Sequence, residues 1–294
     1  MSGLPSRALF RHRWIQTAPK VRLHVVEAGP VEGPPVILLH GFPEYWYGWR
    51  HQIPALARAG YRIIVPDQRG YHRSDKPTRV SAYRLRHLID DVRVLINETQ
   101  YPRADVIGHD WGAMVAWTLA ACSPDSVRRL GILNVPHPHV MLQTLKTDPA
   151  QRIRSLYAAF FQLPRVPEWT LTYGDCALLT MLLRMSSQPG TFSASELLRY
   201  RASWRQPGSV RSMLNWYRAA FRSSDLRTMP ADPIRPPTLV IWGKRDVALK
   251  ASMAPASIAR CTNGRLVMLP DATHWVQHDA AERVNSELLT FLSD

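Results

Sequence analysis

Gly108-His109-Asp110-Trp111-Gly112 is the stretch of sequence that decides the fold of this chain. A central residue with a glycine two positions away on each side is typical of a tight turn from a strand into a helix, with the central side chain projecting above a parallel sheet. Residues 104–107 before the turn predict a short buried strand, and residues 113–121 after it are good helix formers. The sequence therefore predicts a strand-turn-helix unit with Asp110 at its tip.

The residue at the tip of this turn is a carboxylate, where many hydrolases carry a nucleophilic serine. An aspartate suits attack on an alkyl carbon, as in an epoxide or an alkyl halide, because attack on an acyl group would give a mixed anhydride. Asp110 would form an alkyl ester and would be released when an activated water attacks its own carboxylate carbon. The alternative is an aspartate that only caps the following helix. The two glycines and the preceding strand favour the nucleophile.

The composition is that of an ordinary globular chain. Its 294 residues, 46% of them hydrophobic, suffice for one large α/β domain or two smaller ones. No apolar stretch approaches the roughly 20 residues that a bilayer span needs, so no membrane partner is expected. Three widely spaced cysteines, Cys122, Cys176 and Cys261, lack the spacing of a metal site. They predict reduced thiols in a cytoplasmic protein.

The formal charge of +14 raises the question of a nucleic-acid partner. Arginines are scattered from Arg7 to Arg283, without a run of five like charges and without a recognition motif for DNA or RNA. The sequence therefore predicts no nucleic-acid partner. Both a monomer and a homodimer are compatible with it.

Buried strands and helices alternate along most of the chain. Strands are predicted at residues 21–28, 36–39, 61–65, 104–107, 129–133, 238–242 and 265–269, and helices at 49–59, 82–97, 113–121 and 280–292. This alternation predicts an α/β fold with a doubly wound, mostly parallel sheet and right-handed crossovers.

The segment 136–229 has a different character. Its β-branched runs disappear, and helical patterns interrupted by prolines replace them. We expect an inserted helical module, here called the cap, that lies over Asp110. The sheet core would then consist of residues 1–135 and 230–294.

Hydrolysis of an ester on Asp110 needs a general base and a carboxylate that orients this base. In folds with such a turn the chain order is nucleophile, acid, histidine, and only His274 follows a late strand and precedes the last helix. Asp246 follows the strand 238–242, which would place it at the same sheet edge as Asp110. Asn134 ends the preceding sheet strand, but a neutral amide cannot stabilise an imidazolium as a carboxylate can.

The other acids and histidines near these positions are assigned structural roles. They are Asp271, Asp279, His137, His139 and His278. The two aspartates lie so close to His274 in sequence that a place in a surface loop is the simpler interpretation. No placement signal distinguishes the three histidines from surface or packing residues.

Four segments of the chain carry a resemblance to a known family. They are His40-Gly41-Phe42-Pro43-Glu44 with Trp46-Tyr47 and Trp49-Arg50, Asp67-Gln68-Arg69-Gly70-Tyr71 with Ser74-Asp75, Gly108-His109-Asp110-Trp111-Gly112, and His274-Trp275 with Gln277 and Val284-Asn285. With these motifs the sequence resembles the epoxide hydrolase branch of the α/β-hydrolase superfamily. The resemblance implies the α/β-hydrolase fold with an inserted helical cap.

The resemblance also implies roles for individual residues. The backbone amides of Phe42 and Trp111 would form the oxyanion hole during ester hydrolysis. Tyr157 and Tyr217, in two cap segments that look like the family's tyrosine sites, would bind and protonate the epoxide oxygen as the ring opens. Together with Asp110, His274 and Asp246 they would complete the catalytic set.

The sequence thus predicts an epoxide hydrolase that adds water to a small lipophilic epoxide and gives a vicinal diol. Water is the second substrate, and neither a metal ion nor an organic cofactor is expected. An apolar pocket under the cap, beside Phe42 and Trp111, would favour lipophilic substrates. Four further residues are expected to line it: His40, Pro43, Phe160 and Phe161.

Haloalkane dehalogenases share the aspartate and are the main alternative. They hold the departing halide with indole or amide N–H groups, of which Trp111 could supply one. Phe42 stands where an asparagine often supplies the other, although Trp169 or Trp204 in the cap could substitute for it.

Two other classes fit less well. Haloacetate dehalogenases place arginine after the nucleophile and a His-Trp pair in the cap, where this chain has Trp111 and Ala158-Ala159. A protein that binds a hydrophobic ligand without turnover would not need a nucleophile, an acid, a base and two phenols.

Overall fold

One sheet provides the frame on which the candidate residues are placed. The structure is a computed structural model that describes residues 10–294. Within that range its strands are β1 (Arg11–Ala18), β2 (Val21–Ala28), β3 (Pro35–Leu39), β4 (Arg62–Pro66), β5 (Ala104–His109), β6 (Val127–Leu133), β7 (Thr238–Gly243) and β8 (Gly264–Leu269). These eight described strands form a single sheet in the order β1-β2-β4-β3-β5-β6-β7-β8.

Helices connect most of the strands. Over the described residues they are α1 (Gln52–Arg58), α2 (Leu85–Asn97), α3 (Trp111–Cys122), α4 (Pro138–Thr147), α5 (Pro149–Arg154), α6 (Leu156–Phe160), α7 (Val166–Ser186), α8 (Ala194–Trp204), α9 (Ser209–Arg222), α10 (Met253–Ile258), α11 (Val276–Asp279) and α12 (Ala281–Ser293). Short 3-10 turns cover Trp46–Trp49, Val80–Tyr83 and Pro124–Ser126.

The sheet is parallel from β3 to β8 and antiparallel at one edge. Strand β2 pairs antiparallel with both β1 and β4, while the remaining neighbours pair in parallel. Parallel strands need crossover connections, which the helices supply. The predicted α/β-hydrolase fold with a mostly parallel sheet is therefore confirmed.

The helices cover both faces of the sheet. Alternate residues of β3 belong to two separate hydrophobic clusters: Ile37 and Leu39 lie in one, Val36 and Leu38 in the other. The first cluster includes apolar side chains of α2 and α3, and the second those of α1 and α12. Burial on both faces explains why the central strands are continuous apolar runs in the sequence.

The cap lies between β6 and β7 in the chain. Over the described residues this segment contains α4 to α9, spanning 138–222, and no strand. This agrees with a helical insertion, while its limits at 136 and 229 stay a prediction.

Strand β1 was not predicted from the sequence. Four of its eight residues in succession are exposed, so it lacks an apolar signal, and only its pairing with β2 defines it. The predicted helix 49–59 is shorter in the structure, because a 3-10 turn at Trp46–Trp49 precedes α1. The strands that were predicted occur within one or two residues of their expected bounds.

Candidate active site

Asp110 lies at the tip of the turn between β5 and α3. Its backbone has φ 51° and ψ −125°, which L residues seldom adopt, and its side chain makes no capping hydrogen bond to α3. A Cβ on Gly108 would lie 2.4 Å from the carbonyl oxygen of Gly112, and a Cβ on Gly112 would lie 2.1 Å from that of Leu39. Only glycine fits at these two positions. The turn is confirmed, and the helix-cap interpretation of Asp110 is excluded.

The loop after β3 holds one oxygen of this carboxylate. The backbone N–H of Phe42 donates to Oδ1 of Asp110 at 2.6 Å. Burial alone would raise the pKa of Asp110, but the hydrogen bond and charge of His274, the charge of His109 and the Phe42 N–H hold it below its usual value. Asp110 is therefore ionised at neutral pH, the form that can attack a carbon atom.

His274 lies between Asp110 and Asp246. Asp110 follows β5, Asp246 follows β7 and His274 follows β8, so the parallel strands bring all three to one edge of the sheet. Nδ1 of His274 lies 2.7 Å from Oδ2 of Asp246, and Nε2 lies 3.5 Å from Oδ2 of Asp110. An Nδ1–H donated to Asp246 leaves Nε2 facing Asp110, as a base acting there requires.

The Asp246 carboxylate is held by four donors. Its Oδ1 accepts the N–H groups of Ala248 and Leu249, both at 2.8 Å. Its Oδ2 accepts from Nδ2 of Asn134 at 2.8 Å as well as from His274. With every lone pair engaged and the side chain buried, Asp246 fixes the orientation of the imidazole.

The two carboxylates control the protonation of His274. Burial opposes a charge on the imidazole, yet Asp246 and Asp110 together raise the pKa of His274 to about 10. His274 is thus protonated at neutral pH while Asp110 is ionised. Loss of the Asp110 charge would lower the pKa of His274 and free it to act as a base.

Two cap tyrosines face Asp110 from the other side. Tyr157 lies on α6 and Tyr217 on α9, and their ring centroids are 5.9 Å apart. Phe161 packs against both rings, at 5.7 and 5.0 Å, and Phe42 packs against Tyr217 at 5.5 Å. Tyr157 as a residue is 40% exposed, but desolvation of its hydroxyl and then the charge of Asp110 raise its pKa. Burial, followed by Tyr157 and Asp110, raises the pKa of Tyr217. Both phenols keep their protons and can donate them.

A cavity of about 660 Å³ lies over these groups. Asp110, Trp111, Tyr157 and Tyr217 are all part of its wall. The rest of the wall is mostly apolar and includes Met114, Val135, Met141, Leu142, Leu145 and Leu249. A cavity of this size holds a small organic molecule.

Comparison with known proteins supports one family. A model of the alpha/beta hydrolase fold matches residues 34–281. Epoxide hydrolase 4 of Mus musculus is 35% identical over 280 residues, which cover 93% of this chain and 77% of that protein. The chain belongs to the epoxide hydrolase branch of the α/β-hydrolase superfamily.

Two further proteins are similar to this chain over almost its whole length. The AB hydrolase superfamily protein YfhM of Bacillus subtilis (strain 168) is 43% identical over 274 residues, 93% of this chain and 95% of that protein. A crystal structure of a Bacillus megaterium epoxide hydrolase in complex with an inhibitor has a TM-score of 0.87 and 30% identity, covering 96% and 100% of the two chains.

The cavity wall does not include four residues that the sequence predicted for the substrate pocket, namely His40, Pro43, Phe160 and Phe161. His40 is fully buried, and its Nε2 accepts the N–H of Gln68. The carbonyl of Pro43 accepts a hydrogen bond from Nε1 of Trp204. His40 and Pro43 therefore anchor the loop after β3 through these two hydrogen bonds. Phe160 and Phe161 lie beside the cavity, where Phe161 supports the tyrosine pair. Part of the apolar wall comes instead from Met141, Leu142 and Leu145 of α4, a helix that carried no functional motif in the sequence.

Sequence reasoning missed two polar partners of the site. Asn134 was considered only as a replacement for Asp246, whereas in the structure it donates to Asp246. Glu44 is buried behind the turn and accepts from Tyr200 and Gln277. Burial would raise the pKa of Glu44, but His278 and then His109 hold it well below its usual value. The signal for Asn134 was its place at the end of a sheet strand.

The indole groups that a dehalogenase would need are not placed for that role. Nε1 of Trp204 donates to the carbonyl of Pro43 at 2.6 Å, so this N–H is already engaged. Trp169 is 66% exposed, and its ring packs at a tilt against Tyr173, away from the cavity wall. Trp111 alone of these candidates borders the cavity.

The described residues form neither a metal-binding cluster nor a membrane-spanning helix. Residues 10–294 contain no group of three His, Cys, Asp or Glu side chains that could hold a metal ion. They also contain no helix with the length and apolarity that a bilayer span requires.

Proposed function

We propose that this chain adds water to an epoxide through an ester between the substrate and Asp110. The observation that carries the proposal is the placement of two protonated phenols and an ionised aspartate on the wall of one cavity. Opening an epoxide needs a nucleophile at carbon and a proton donor at oxygen. The relatives named epoxide hydrolases support the same activity.

The first step forms the ester. Oδ1 of Asp110 is held by the Phe42 N–H, so Oδ2 is the oxygen that attacks a ring carbon. The carbon–oxygen bond of the ring breaks, and Tyr157 or Tyr217 donates its proton to the leaving oxygen. The product is a hydroxyalkyl ester in which Oδ1 is the carbonyl oxygen.

The second step hydrolyses the ester. With Asp110 neutral as an ester, His274 gives up its proton, which restores the phenol that donated in the first step. The neutral His274 then takes a proton from water, while Asp246 stabilises the imidazolium. The hydroxide attacks Cγ of Asp110, and the negative charge develops on Oδ1. The N–H of Phe42 and the N–H of Trp111, in the first turn of α3, are proposed to stabilise it. Collapse releases the diol, and one oxygen of Asp110 now comes from water.

A single-turnover reaction in water labelled with ¹⁸O tests the ester directly. Enzyme in excess over styrene oxide should release a diol with no label and should gain one ¹⁸O in the peptide that contains Asp110. Diol that carries the label while this peptide stays unlabelled would mean that water attacks the epoxide directly. The His274→Gln variant provides the control, since it should not incorporate label.

The dehalogenase alternative is tested beside it. Halide release from a bromoalkane, compared at equal enzyme concentration with diol release from styrene oxide, distinguishes the two activities. We expect diol release to dominate, because Trp204 lacks a free N–H for the halide. Tight binding of epoxides without any turnover would instead support a ligand-binding protein. The cytoplasmic location stays a prediction.

A further inference from the structure

The wall of the cavity carries three positive charges. Lys146 lies near the end of α4, Arg152 in α5 and Arg227 in the segment after α9. All three residues are exposed, whereas Tyr217 is 5% exposed. Tyr217 therefore lies in the inner part of the cavity, Tyr157, which is 40% exposed, lies nearer the surface, and the three cations lie at the exposed mouth. Asp110 is the one carboxylate among the residues that line it.

These cations have no partners of opposite charge in the described part of the chain. Over residues 10–294, Lys146, Arg152 and Arg227 take part in no ion pair, although Arg50, Arg69, Arg201 and Arg218 do. Asp148 lies between the first two in sequence, but it pairs with Lys250 and accepts the N–H of Ala150. Arg152 donates to the backbone carbonyl of Lys146 at 3.2 Å, so its guanidinium lies beside the end of α4.

We propose that Lys146, Arg152 and Arg227 form an anion-binding subsite, and that the substrate is an epoxide joined by an apolar segment to a carboxylate. This inference rests on the proposed function. Three unpaired cations at the mouth of an apolar cavity favour a ligand with its charge at that end. The apolar wall, with Met114, Leu142 and Leu145, fits the segment between the two groups.

The subsite acts on binding and not on the chemical step. Its cations are exposed, so water and salt screen them, and each contributes modestly. An interaction made equally in the ground state and the transition state changes KM and leaves kcat nearly constant. We expect the carboxylate to raise kcat/KM by about tenfold at low ionic strength, equivalent to about 1.4 kcal/mol, and less at high salt.

The experiment compares a long-chain carboxylic acid with a terminal epoxide and its methyl ester. In the wild type the acid should have the higher kcat/KM, through a lower KM. In the combined Lys146→Gln, Arg152→Gln and Arg227→Gln variant, the kcat/KM for the acid divided by the kcat/KM for the ester should fall to near one.

The net charge of +14 would attract any anion, so a control must separate this general field from the subsite. Arg58→Gln, Arg103→Gln and Arg184→Gln together remove the same charge from exposed positions that do not line the cavity. This control variant should keep the preference for the acid. Equal loss of preference in both variants, or no preference in the wild type, would overturn the proposal.

A binding measurement makes the test independent of turnover. Calorimetry with a saturated carboxylate of the same length, which has no epoxide, should show binding to the wild type and weaker binding to the Lys146, Arg152 and Arg227 variant. If that holds while no epoxide is hydrolysed, the proposed function fails and the subsite stands. Equal binding of the carboxylate by wild type and variant would refute the subsite.

The surface of an anionic membrane is the alternative ligand for these three cations. Sedimentation with vesicles of phosphatidylcholine and phosphatidylglycerol tests it with the same two variants. Wild-type binding to these vesicles that needs the three cations, without a preference for the acid in solution, would replace the substrate subsite by a membrane contact.

Discussion

Replacing Asp110 with asparagine is expected to lower the pKa of His274 by about three. Nε2 of His274 and Oδ2 of Asp110 lie 3.5 Å apart. Two unit charges at that separation attract by about 5 kcal/mol at an effective dielectric constant of about 20, which corresponds to roughly three to four in pKa. Since the pKa of His274 is about 10 in the native site, it should come close to neutrality in the variant. Asparagine keeps the shape of the carboxylate and removes its charge, as the ester does.

The assay is a pH titration of the imidazole signals by NMR. The His274→Gln variant in each background identifies the signal. A nearby carboxylate favours the imidazolium, so its loss lets the ring give up its proton at lower pH. A raised pKa in the folded protein adds stability that is complete below about pH 6.5 and is lost as the pH rises through about 10. In the Asp110→Asn variant this contribution should already disappear near neutral pH.

Asp271→Asn is the matched control. Asp271 is close to His274 in sequence, but its side chain is 74% exposed and pairs with Arg245. Its removal should change the pKa of His274 by less than about 0.5, because water screens an exposed charge. A fall of less than one in the Asp110→Asn variant, or a similar fall in the control, would refute the claim that ester formation frees the base.

Three further predictions follow from the site. His274→Gln should allow the ester to form and should slow its hydrolysis by at least about a hundredfold, so mass spectrometry should find one substrate mass on the protein; unmodified protein after exposure to a good epoxide would contradict this. Replacing Tyr157 and Tyr217 together with phenylalanine should abolish ring opening, and turnover within about tenfold of the wild type, or 1.4 kcal/mol in barrier, would exclude their role as proton donors. Asn134→Ala should lower the free energy of unfolding by about 2 to 3 kcal/mol in urea titration, because the N–H of Gly243 and an Asp246 oxygen lose a buried partner; an unchanged midpoint would show that water replaces the amide.

Local sequence was enough for the turn that carries Asp110. Its backbone needs two glycines within five residues, and a buried strand and a helix flank it directly, so all the constraints are close together in the chain. The apolar runs of the parallel strands were equally clear, since both of their faces are buried. The order of Asp110, Asp246 and His274 then followed from the order of the strands.

Residues whose role depends on distant partners could not be identified in this way. Strand β1 shows no apolar pattern because its side chains are mostly exposed, and it exists through its hydrogen bonds to β2. The amide of Asn134 looked like a poor substitute for an acid until the structure placed it 2.8 Å from Asp246, 112 positions away. Hydrogen bonds of this kind leave no periodic pattern in the chain.

The sequence by itself determined the fold class, the turn with Asp110 and the pairing of this residue with a late histidine, because short-range backbone constraints and strand order control these features. Only the tertiary structure decided which side chains share the cavity. Tyr157, Lys146 and Arg227 come from separate segments of the cap, and their common wall depends on how the helices pack. Packing is a property of the whole chain, so the cationic mouth of the cavity became visible only once the helices were in place.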